Sequence, residues 1–251
     1  MPVKLFTDFK HDDVHFHPPS FNAKGQKNVD MSYDPTSVSY QHKISIQLAK
    51  DSKPILSKYR LSEPRDGEDG KRRNWELKLE DPVLLKVLKD FDEYILEHAV
   101  KNSRTLFKKD LNRDQVEARY KEIVKPPKEG DDCPYMIVKV SCPPSDNPTP
   151  IKIIQEEESK LVLKDGTIDD LTRDAEVVPI VRTSGLWFMS DSFGVSFSAY
   201  KLIVKPKPQM TFKDHFILEN DYAEETEDKN EHSNNENANE PVELMEDSVD
   251  D

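Results

Sequence analysis

The chain has 251 residues, of which 35% are apolar and 34% are charged, and its formal net charge is −13. This length is sufficient for one large domain or two small ones with a buried core. No run approaches the roughly 18 to 20 apolar residues of a membrane span, and the opening MPVKLFTDFKHDD lacks the apolar centre of a signal peptide. The composition therefore predicts a soluble, unsecreted protein.

The negative charge is confined to the end of the chain. Residues 219–251 contain 14 acidic residues and one base, Lys229, whereas residues 1–218 contain 35 bases and 35 acids. A segment with this charge and so few apolar residues cannot bury enough surface to fold, so we predict a disordered acidic tail over 209–251. The neutral body can still carry a basic face, on which the tail would compete with phosphates. Docking of a partner and simple solubilisation are the alternatives for the tail.

The first half of the chain changes period at Pro82. Residues 1–40 read as an irregular N-terminal arm with at most one strand, and the segment 42–50 alternates as a half-buried strand does. WELKLED predicts a second strand. From Pro82 to about Lys109 the apolar residues recur at three and four, which indicates an amphipathic helix. A shorter helix follows, capped by Asn112 and stopped by Pro126 and Pro127.

Beyond Pro134 the chain predicts only strands. Six extended runs are joined by short turns and leave no room for crossover helices. They are YMIVKVSCP, IKIIQEEE, SKLVLKDG, EVVPIVRTSG, LWFMS and FGVSFSAYKLIVKP. An antiparallel meander or a small closed barrel follows from this pattern.

Catalytic motifs are not evident. The seven glycines nowhere form a GxxxxGK(S/T) or GxGxxG motif, and Cys133 and Cys142 lack the CxxC spacing of zinc and redox sites. The segment HDDVHFH, residues 11–17, could supply imidazole and carboxylate ligands to a divalent metal, but no second cluster completes the site. We interpret it as a polar arm, and we predict no cofactor, no metal and no enzymatic activity.

Basic and aromatic residues favour a binding role. Between Lys50 and Lys78 there are nine bases and six acids, with Tyr59 and Trp75 among them. Proteins that hold single strands combine cationic side chains along the phosphates with aromatic faces on which bases stack. Trp75 is in phase with Leu77 and Leu79, so a core position competes with a stacking role. Tyr59 and the pair Arg72 and Arg73 are the stronger candidates for a groove.

The last strands carry a more specific pattern, in which Gly185-Leu186-Trp187-Phe188 is followed after a short gap by Phe193-Gly194-Val195-Ser196-Phe197. Together with YMIVKVSCP and VLKDG, the run from Tyr135 to Pro206 resembles the single-stranded DNA-binding proteins of large nucleocytoplasmic DNA viruses. It is more distantly similar to phage single-stranded DNA-binding proteins, which have an OB-fold and an acidic tail. The resemblance implies a barrel that coats unwound DNA in replication, recombination or repair. Phage-type tails often end in an aromatic residue, whereas this chain ends in Val249-Asp250-Asp251.

The combined expectation is a mainly β fold, an OB-like antiparallel barrel over 41–208 with a helical insertion at 82–125. Its expected partner is single-stranded DNA, bound without strong sequence preference, and the tail is expected to contact replication proteins. The resemblance implies an intracellular location, at sites of viral replication in the host cytoplasm or nucleus. Ten residues are the candidate contacts: Lys53, Lys58, Tyr59, Arg60, Arg72, Arg73, Trp75, Tyr135, Lys139 and Trp187.

Two other classes of function remain open from the sequence. The first is a viral structural or scaffolding protein whose strands form a sandwich and whose acidic tail recruits a partner. The second, with less support, is a metal-dependent enzyme that uses the HDDVHFH arm. A DNA-binding role predicts that Tyr59, Arg60, Arg72, Arg73, Tyr135 and Lys139 share one concave surface, whereas their dispersal would favour the structural role.

Overall fold

The computed structural model describes residues 3–23, 25–33, 44–64, 71–157, 160–183 and 185–205. The chain divides into two units, Met1–Lys207 and Pro208–Asp251, and all described residues belong to the first. The predicted tail, 209–251, and the boundary predicted at residue 40 lie outside them.

The elements before the helices are short strands. They are β1 (Lys4–Leu5), β2 (His15–Phe16), β3 (Ser20–Phe21), β4 (Lys27–Ser32), β5 (Ile44–Gln47), β6 (Ile55–Leu56) and β7 (Arg72–Lys78). Short 3-10 turns at Phe6–Asp8 and His11–Asp13 connect the first of them. The helical block follows as α1 (Pro82–Lys101), α2 (Ser103–Phe107) and α3 (Arg113–Glu117).

The remaining strands occupy the positions that period-two alternation predicts, except β8, which lies in a segment predicted as helix. They are β8 (Tyr120–Lys121), β9 (Tyr135–Ser141), β10 (Ile151–Glu157), β11 (Lys160–Asp165), β12 (Glu176–Thr183), β13 (Gly185–Phe188), β14 (Phe193–Val195) and β15 (Phe197–Lys205). A 3-10 turn, Ile168–Asp170, precedes β12. No helix in the described part of the chain is long and apolar enough to cross a membrane.

Five extended segments close a barrel. β7 pairs antiparallel with β9, β9 pairs parallel with β15, β15 pairs antiparallel with β12, and β12 pairs antiparallel with β6. The chain after β6 returns to β7, because the N–H groups of Lys58 and Ser62 donate to the carbonyls of Glu76 and Asn74. A small, five-stranded barrel of this kind is the OB architecture. The predicted OB-like, mainly β fold is confirmed, and the parallel contact of β9 with β15 makes its sheet mixed.

The chain from β12 to β15 forms one long hairpin that serves two sheets. Its lower half, β12 and β15, belongs to the barrel, whereas its upper half, β13 and β14, joins β4 and β8 in a second sheet. Ser196 stands at the change between the halves. The hairpin therefore connects the barrel directly to the second sheet.

The core lies inside the barrel and under α1. Trp75 and Leu77 of β7 and Met136 and Val138 of β9 alternate inward and are each 0% exposed. The apolar stripe of α1 packs on the N-terminal segment, where Phe9 meets Phe91 with ring centroids 5.2 Å apart. The N-terminal arm thus contributes core residues and the strands β2, β3 and β4 of the second sheet.

The helical block differs from its prediction in two places. Asp81 caps α1, since its carboxylate accepts from the N–H of Val83 at 2.9 Å. The helix ends near Asn102, whose side chain donates to the carbonyl of His98 at 2.9 Å, instead of running to Lys109. Asn112 and Gln115 form a capping box for α3, yet that helix ends at Glu117, and a turn, the short strand β8 and a bend lead from there to residue 125.

Candidate nucleic-acid interface

A groove of about 540 Å³ opens between the barrel and the second sheet. It is lined by β4, by one face of β7 and β9, by the upper half of the long hairpin, and by the segment 121–125. A side pocket of about 390 Å³ adjoins it, because Gln26, Phe188 and Met189 line both. The two together are called the groove below.

The charge of the groove is strongly positive. Its lining includes seven bases, Lys27, Lys109, Arg119, Lys121, Lys125, Arg72 and Lys139, and two acids, Asp30 and Glu122. Within the described ranges, Arg72 and Lys121 have no ion-pair partner. Burial lowers the pKa of Lys125 and of Lys27, which is the expected effect of desolvation on a cation. The seven bases of the groove also repel one another, and an anionic ligand would relieve that repulsion.

Aromatic side chains line the same groove. Trp187 of β13 is half-buried and packs over its strand partner Gly194 of β14. A Cβ added to Gly194 would lie 3.0 Å from the indole Cζ2 of Trp187. Its indole N–H has no hydrogen-bond partner within the described part of the chain. Phe188 lies at the junction with the side pocket, and Phe21 at the rim of that pocket is 70% exposed. Flat apolar surfaces beside cations are the arrangement that binds unstacked bases.

The segment from Arg119 to Lys125, here called the strap, is held in place by a buried carboxylate. Asp92 of α1 is 7% exposed and accepts hydrogen bonds from the Tyr120 hydroxyl at 2.6 Å and from the N–H of Ile123 at 2.8 Å. Burial raises the pKa of Asp92 to about 6, although these hydrogen bonds oppose the rise. β8 then pairs with β14, which brings Lys121 to the groove.

Three of the ten predicted contacts line the groove. They are Arg72 on β7, Lys139 on β9 and Trp187 on β13. Lys139 stands opposite Asn74, which is two pairs along the ladder from Arg72 and therefore on the same face of the sheet. Of the six residues that a DNA-binding role predicts on one concave surface, Arg72 and Lys139 line the groove and the other four do not.

Tyr59 and Tyr135 form a separate cluster around two lysines. The Lys128 ammonium lies 5.0 Å from the ring centroid of Tyr59 and 5.1 Å from that of Tyr135, and it also pairs with Glu76 at 2.8 Å. Neither tyrosine lines the groove. Lys58 is 3% exposed and pairs with Asp131 at 2.9 Å, so the prediction of Lys58 as a phosphate contact is wrong. Its charge is already neutralised beneath the tyrosines.

Two further predicted contacts face the interior. Trp75 is 0% exposed and donates its indole N–H to the carbonyl of Tyr59 at 3.0 Å, so no base can stack on it. Arg73 alternates with Arg72 and stands opposite buried Val140 on the inner side of β7. The prediction of Arg72 and Arg73 as a pair of groove residues is wrong for Arg73, because neighbours in a strand point to opposite faces.

The last two predicted contacts are ion-paired outside the groove. Lys53 lies 3.1 Å from Asp81 and lines a different pocket, beside the start of α1. Arg60 lies 3.0 Å from Glu63 in an exposed pair. Neither residue lines the groove.

Several groove residues were not predicted. Lys121 and Lys125 belonged to a segment interpreted as helix, and Phe21 and Lys27 belonged to the arm. The alternation of KNVDMS, with Val29 and Met31 inward, was the available signal for β4.

The HDDVHFH arm does not gather as a metal site. The part of the chain that the structure describes contains no group of three or more histidine, cysteine or acidic residues placed to hold a metal. His17 bonds with the hydroxyl of Ser32 at 2.9 Å, and His11 lies 3.3 Å from Asp12. The interpretation as a metal-dependent enzyme therefore has no support in this arm.

The chain belongs to the family of unknown function DUF5871, whose model matches residues 68–220. No curated protein matches the sequence. The single-stranded DNA-binding protein gp2.5 of bacteriophage T7 is similar with a TM-score of 0.40 and 11% identity, over 75% of this chain and 100% of that one. The single-stranded DNA-binding protein of bacteriophage Enc34 has a TM-score of 0.39 and 8% identity as a C-terminal truncation, over 78% of this chain and 97% of its own. In complex with single-stranded DNA it has a TM-score of 0.38 and 10% identity, over 77% and 97%.

Proposed function

We propose that this protein binds single-stranded DNA in the groove, without strong sequence preference and without catalysis. The observation that carries the proposal is the charge of the groove lining, seven bases against two acids, in a chain whose first 218 residues are neutral. Such a concentration of like charge is unfavourable unless an anion occupies the groove. A polyphosphate backbone supplies that anion along the whole length of the groove.

The aromatic lining favours a single strand over a duplex. A duplex keeps its bases stacked inside and presents phosphates at its surface, whereas a single strand can turn its bases toward Trp187 and Phe188. Stacking accepts every base, since every base has a flat face. We therefore propose that affinity depends little on sequence.

We also propose the process in which this protein binds DNA. The resemblance of Tyr135–Pro206 to single-stranded DNA-binding proteins of large DNA viruses supports a role in coating unwound DNA during replication, recombination or repair. The chain would then act at viral replication sites in the host cytoplasm or nucleus. The acidic segment 219–251 would contact replication proteins or compete with DNA for the groove.

The test is a titration of the full chain with oligo-dT and with a duplex of equal length at moderate salt. The proposal predicts far tighter binding of oligo-dT, because stacking contributes roughly 1 to 3 kcal/mol per base. Lys121→Ala should weaken oligo-dT binding, whereas Lys86→Ala, on the exposed face of α1 and paired with Asp90, should not. Equal affinity for the two ligands would overturn the single-strand proposal.

One observation favours a second candidate, a protein-interaction role. β11 pairs with β10 on one side, and its Leu161 and Leu163 are 75% and 55% exposed. An edge strand with exposed leucines can accept a strand from a partner. Loss of a partner from the Leu161→Lys variant, with oligo-dT binding unchanged, would show that this edge serves a function separate from the groove.

A further inference from the structure

A row of side chains leads out of the groove across the outer face of the barrel. Asn74 pairs with Lys139, Lys139 with Ser198, and Ser198 with Arg182, so that the row crosses β7, β9, β15 and β12. Residues paired across a ladder share one face of the sheet. Lys139 and Ser198 are exposed, and Arg182 is half-buried. Adjacent strands lie about 4.8 Å apart, so Arg182 stands about 10 Å from the groove residue Lys139.

A bulge in β15 places a tyrosine at the end of this row. The register shifts between Ile180 and Val181, which pair with Lys201 and Ala199, so Tyr200 is the extra residue. Tyr200 is two residues after Ser198 in β15, and both are exposed, so its side chain lies on the same outer face. The Tyr200 ring lies against Arg182, with the guanidinium carbon 3.2 Å from the ring centroid, and the residue is 43% exposed.

Two contacts fix the position of the Arg182 side chain, and neither of them neutralises its charge. Its Nε donates to the hydroxyl of buried Ser45 at 3.0 Å, and its flat group covers the Tyr200 ring. Among the described residues no carboxylate pairs with it. A guanidinium stacked on a tyrosine and free of carboxylates is suited to a phosphate, and the exposed part of the ring is suited to a base.

We propose that Arg182 and Tyr200 form a second nucleotide-binding subsite, which a single strand reaches after it leaves the groove past Lys139. This inference rests on the proposed function and extends it. Tyr200 stacks on a base, and Arg182 contacts the adjoining phosphate. The subsite would therefore be occupied only by oligonucleotides long enough to fill the groove and then cross the row.

The experiment is a length series of oligo-dT, from about 4 to about 16 nucleotides, the range that one OB-fold covers. Wild-type affinity should rise with length until both sites are filled. Tyr200→Leu should leave the shortest oligonucleotides unaffected and weaken the longest by roughly 5-fold to 100-fold. Tyr200→Phe keeps a stacking ring and should retain the wild-type series, so a loss in the leucine variant alone assigns the effect to stacking.

Arg182→Gln, with thermal melting to confirm folding, is the second variant and should reduce the salt dependence for long oligonucleotides only. If Tyr200→Leu and Arg182→Gln follow the wild-type series at every length while Lys121→Ala weakens all of it, the subsite is wrong and the groove stands. If the wild-type chain binds none of the series, the proposed function fails and the subsite fails with it.

Discussion

The hydroxyl of Tyr120 donates a 2.6 Å hydrogen bond to the carboxylate of Asp92, and both residues are buried. The same carboxylate accepts the N–H groups of Ile123 and Val124, so α1 holds the strap through three of its residues. Lys121 and Lys125 of the strap line the groove. The shape of a charged surface therefore depends on one interior carboxylate.

The first prediction concerns pH and Asp92. Burial raises the pKa of Asp92 to about 6 in the folded chain, whereas the pKa of an aspartate in an unfolded chain is about 3.9. The folded state therefore binds the carboxyl proton of Asp92 more tightly than the unfolded state does. Protonation of Asp92 stabilises the fold fully below about pH 4, and this stabilisation is lost as pH rises through about 6. Urea unfolding of wild type and Asp92→Asn should show wild type losing about 3 kcal/mol relative to the variant across this window. Other carboxylates cancel in the difference, so a difference that does not change with pH would contradict the raised pKa.

The second prediction concerns the contact of β13 with β4 at the groove wall. Gly185 has φ +155°, and a Cβ there would lie 2.1 Å from the carbonyl oxygen of Val29. Gly185→Ala should therefore destabilise the fold by about 3 kcal/mol or more, through backbone strain and overpacking. Gly130→Ala is the matched control, because φ is +80° there but no atom lies within 4 Å, and about 1 to 2 kcal/mol is expected. Equal losses of unfolding free energy would show that β13 and β4 are farther apart than described.

The third prediction uses the two tryptophans of the chain. Trp75 is fully buried, whereas Trp187 lines the groove, so of the two tryptophans Trp187 is the one on which bound DNA can stack. Oligo-dT should quench the intrinsic tryptophan fluorescence of wild type, and Trp187→Phe should remove that quenching. Trp187→Ala should weaken binding by roughly 5-fold to 150-fold, the equivalent of about 1 to 3 kcal/mol. Quenching that persists in Trp187→Phe would place the bound DNA elsewhere.

The fourth prediction concerns the acidic segment. Deletion of residues 219–251, which carry a charge of −13, should raise affinity for oligo-dT at low salt and leave the melting temperature unchanged. A tethered anion competes through its local concentration, roughly millimolar for a short flexible linker, and salt screens this competition. The gain should therefore shrink as salt increases. If the truncated chain binds no better at low salt, docking of a partner becomes the better account of the segment.

The strands of the barrel were predictable because alternation over short segments reports which face is buried. HKISIQLAK, WELKLED and the six runs after Pro134 all contain strands of the fold. Which strands meet was not predictable, because the contact of β9 with β15 joins residues far apart in sequence. Alternation is compatible with an antiparallel meander or a small closed barrel, and the choice of an OB-like barrel rests on the resemblance.

The groove was predictable only in part for related reasons. Val116, Tyr120, Ile123 and Val124 have helical spacing, yet the last three lie outside α3, because they donate hydrogen bonds to Asp92 and β8 pairs with β14. Lys121 and Lys125 are therefore in the groove for a tertiary reason that periodicity does not contain. The composition shows a basic stretch between Lys50 and Lys78. Three bases of this stretch, Lys53, Lys58 and Arg60, are paired with carboxylates in the fold, which composition does not reveal.

The central claim is that the groove bases contact phosphates, and the most direct measurement is the salt dependence of oligo-dT affinity. Each phosphate contact on a single strand contributes a slope of roughly 0.7 in log affinity against log salt. Replacement of Arg72, Lys121 and Lys139 together by alanine should lower the slope by about 2, through the loss of three contacts. Replacement of the exposed α1 bases Lys86, Lys89 and Lys101 changes the net charge equally and should leave the slope unchanged. If both triple variants change the slope alike, or if neither does, the groove is not the path of the DNA backbone.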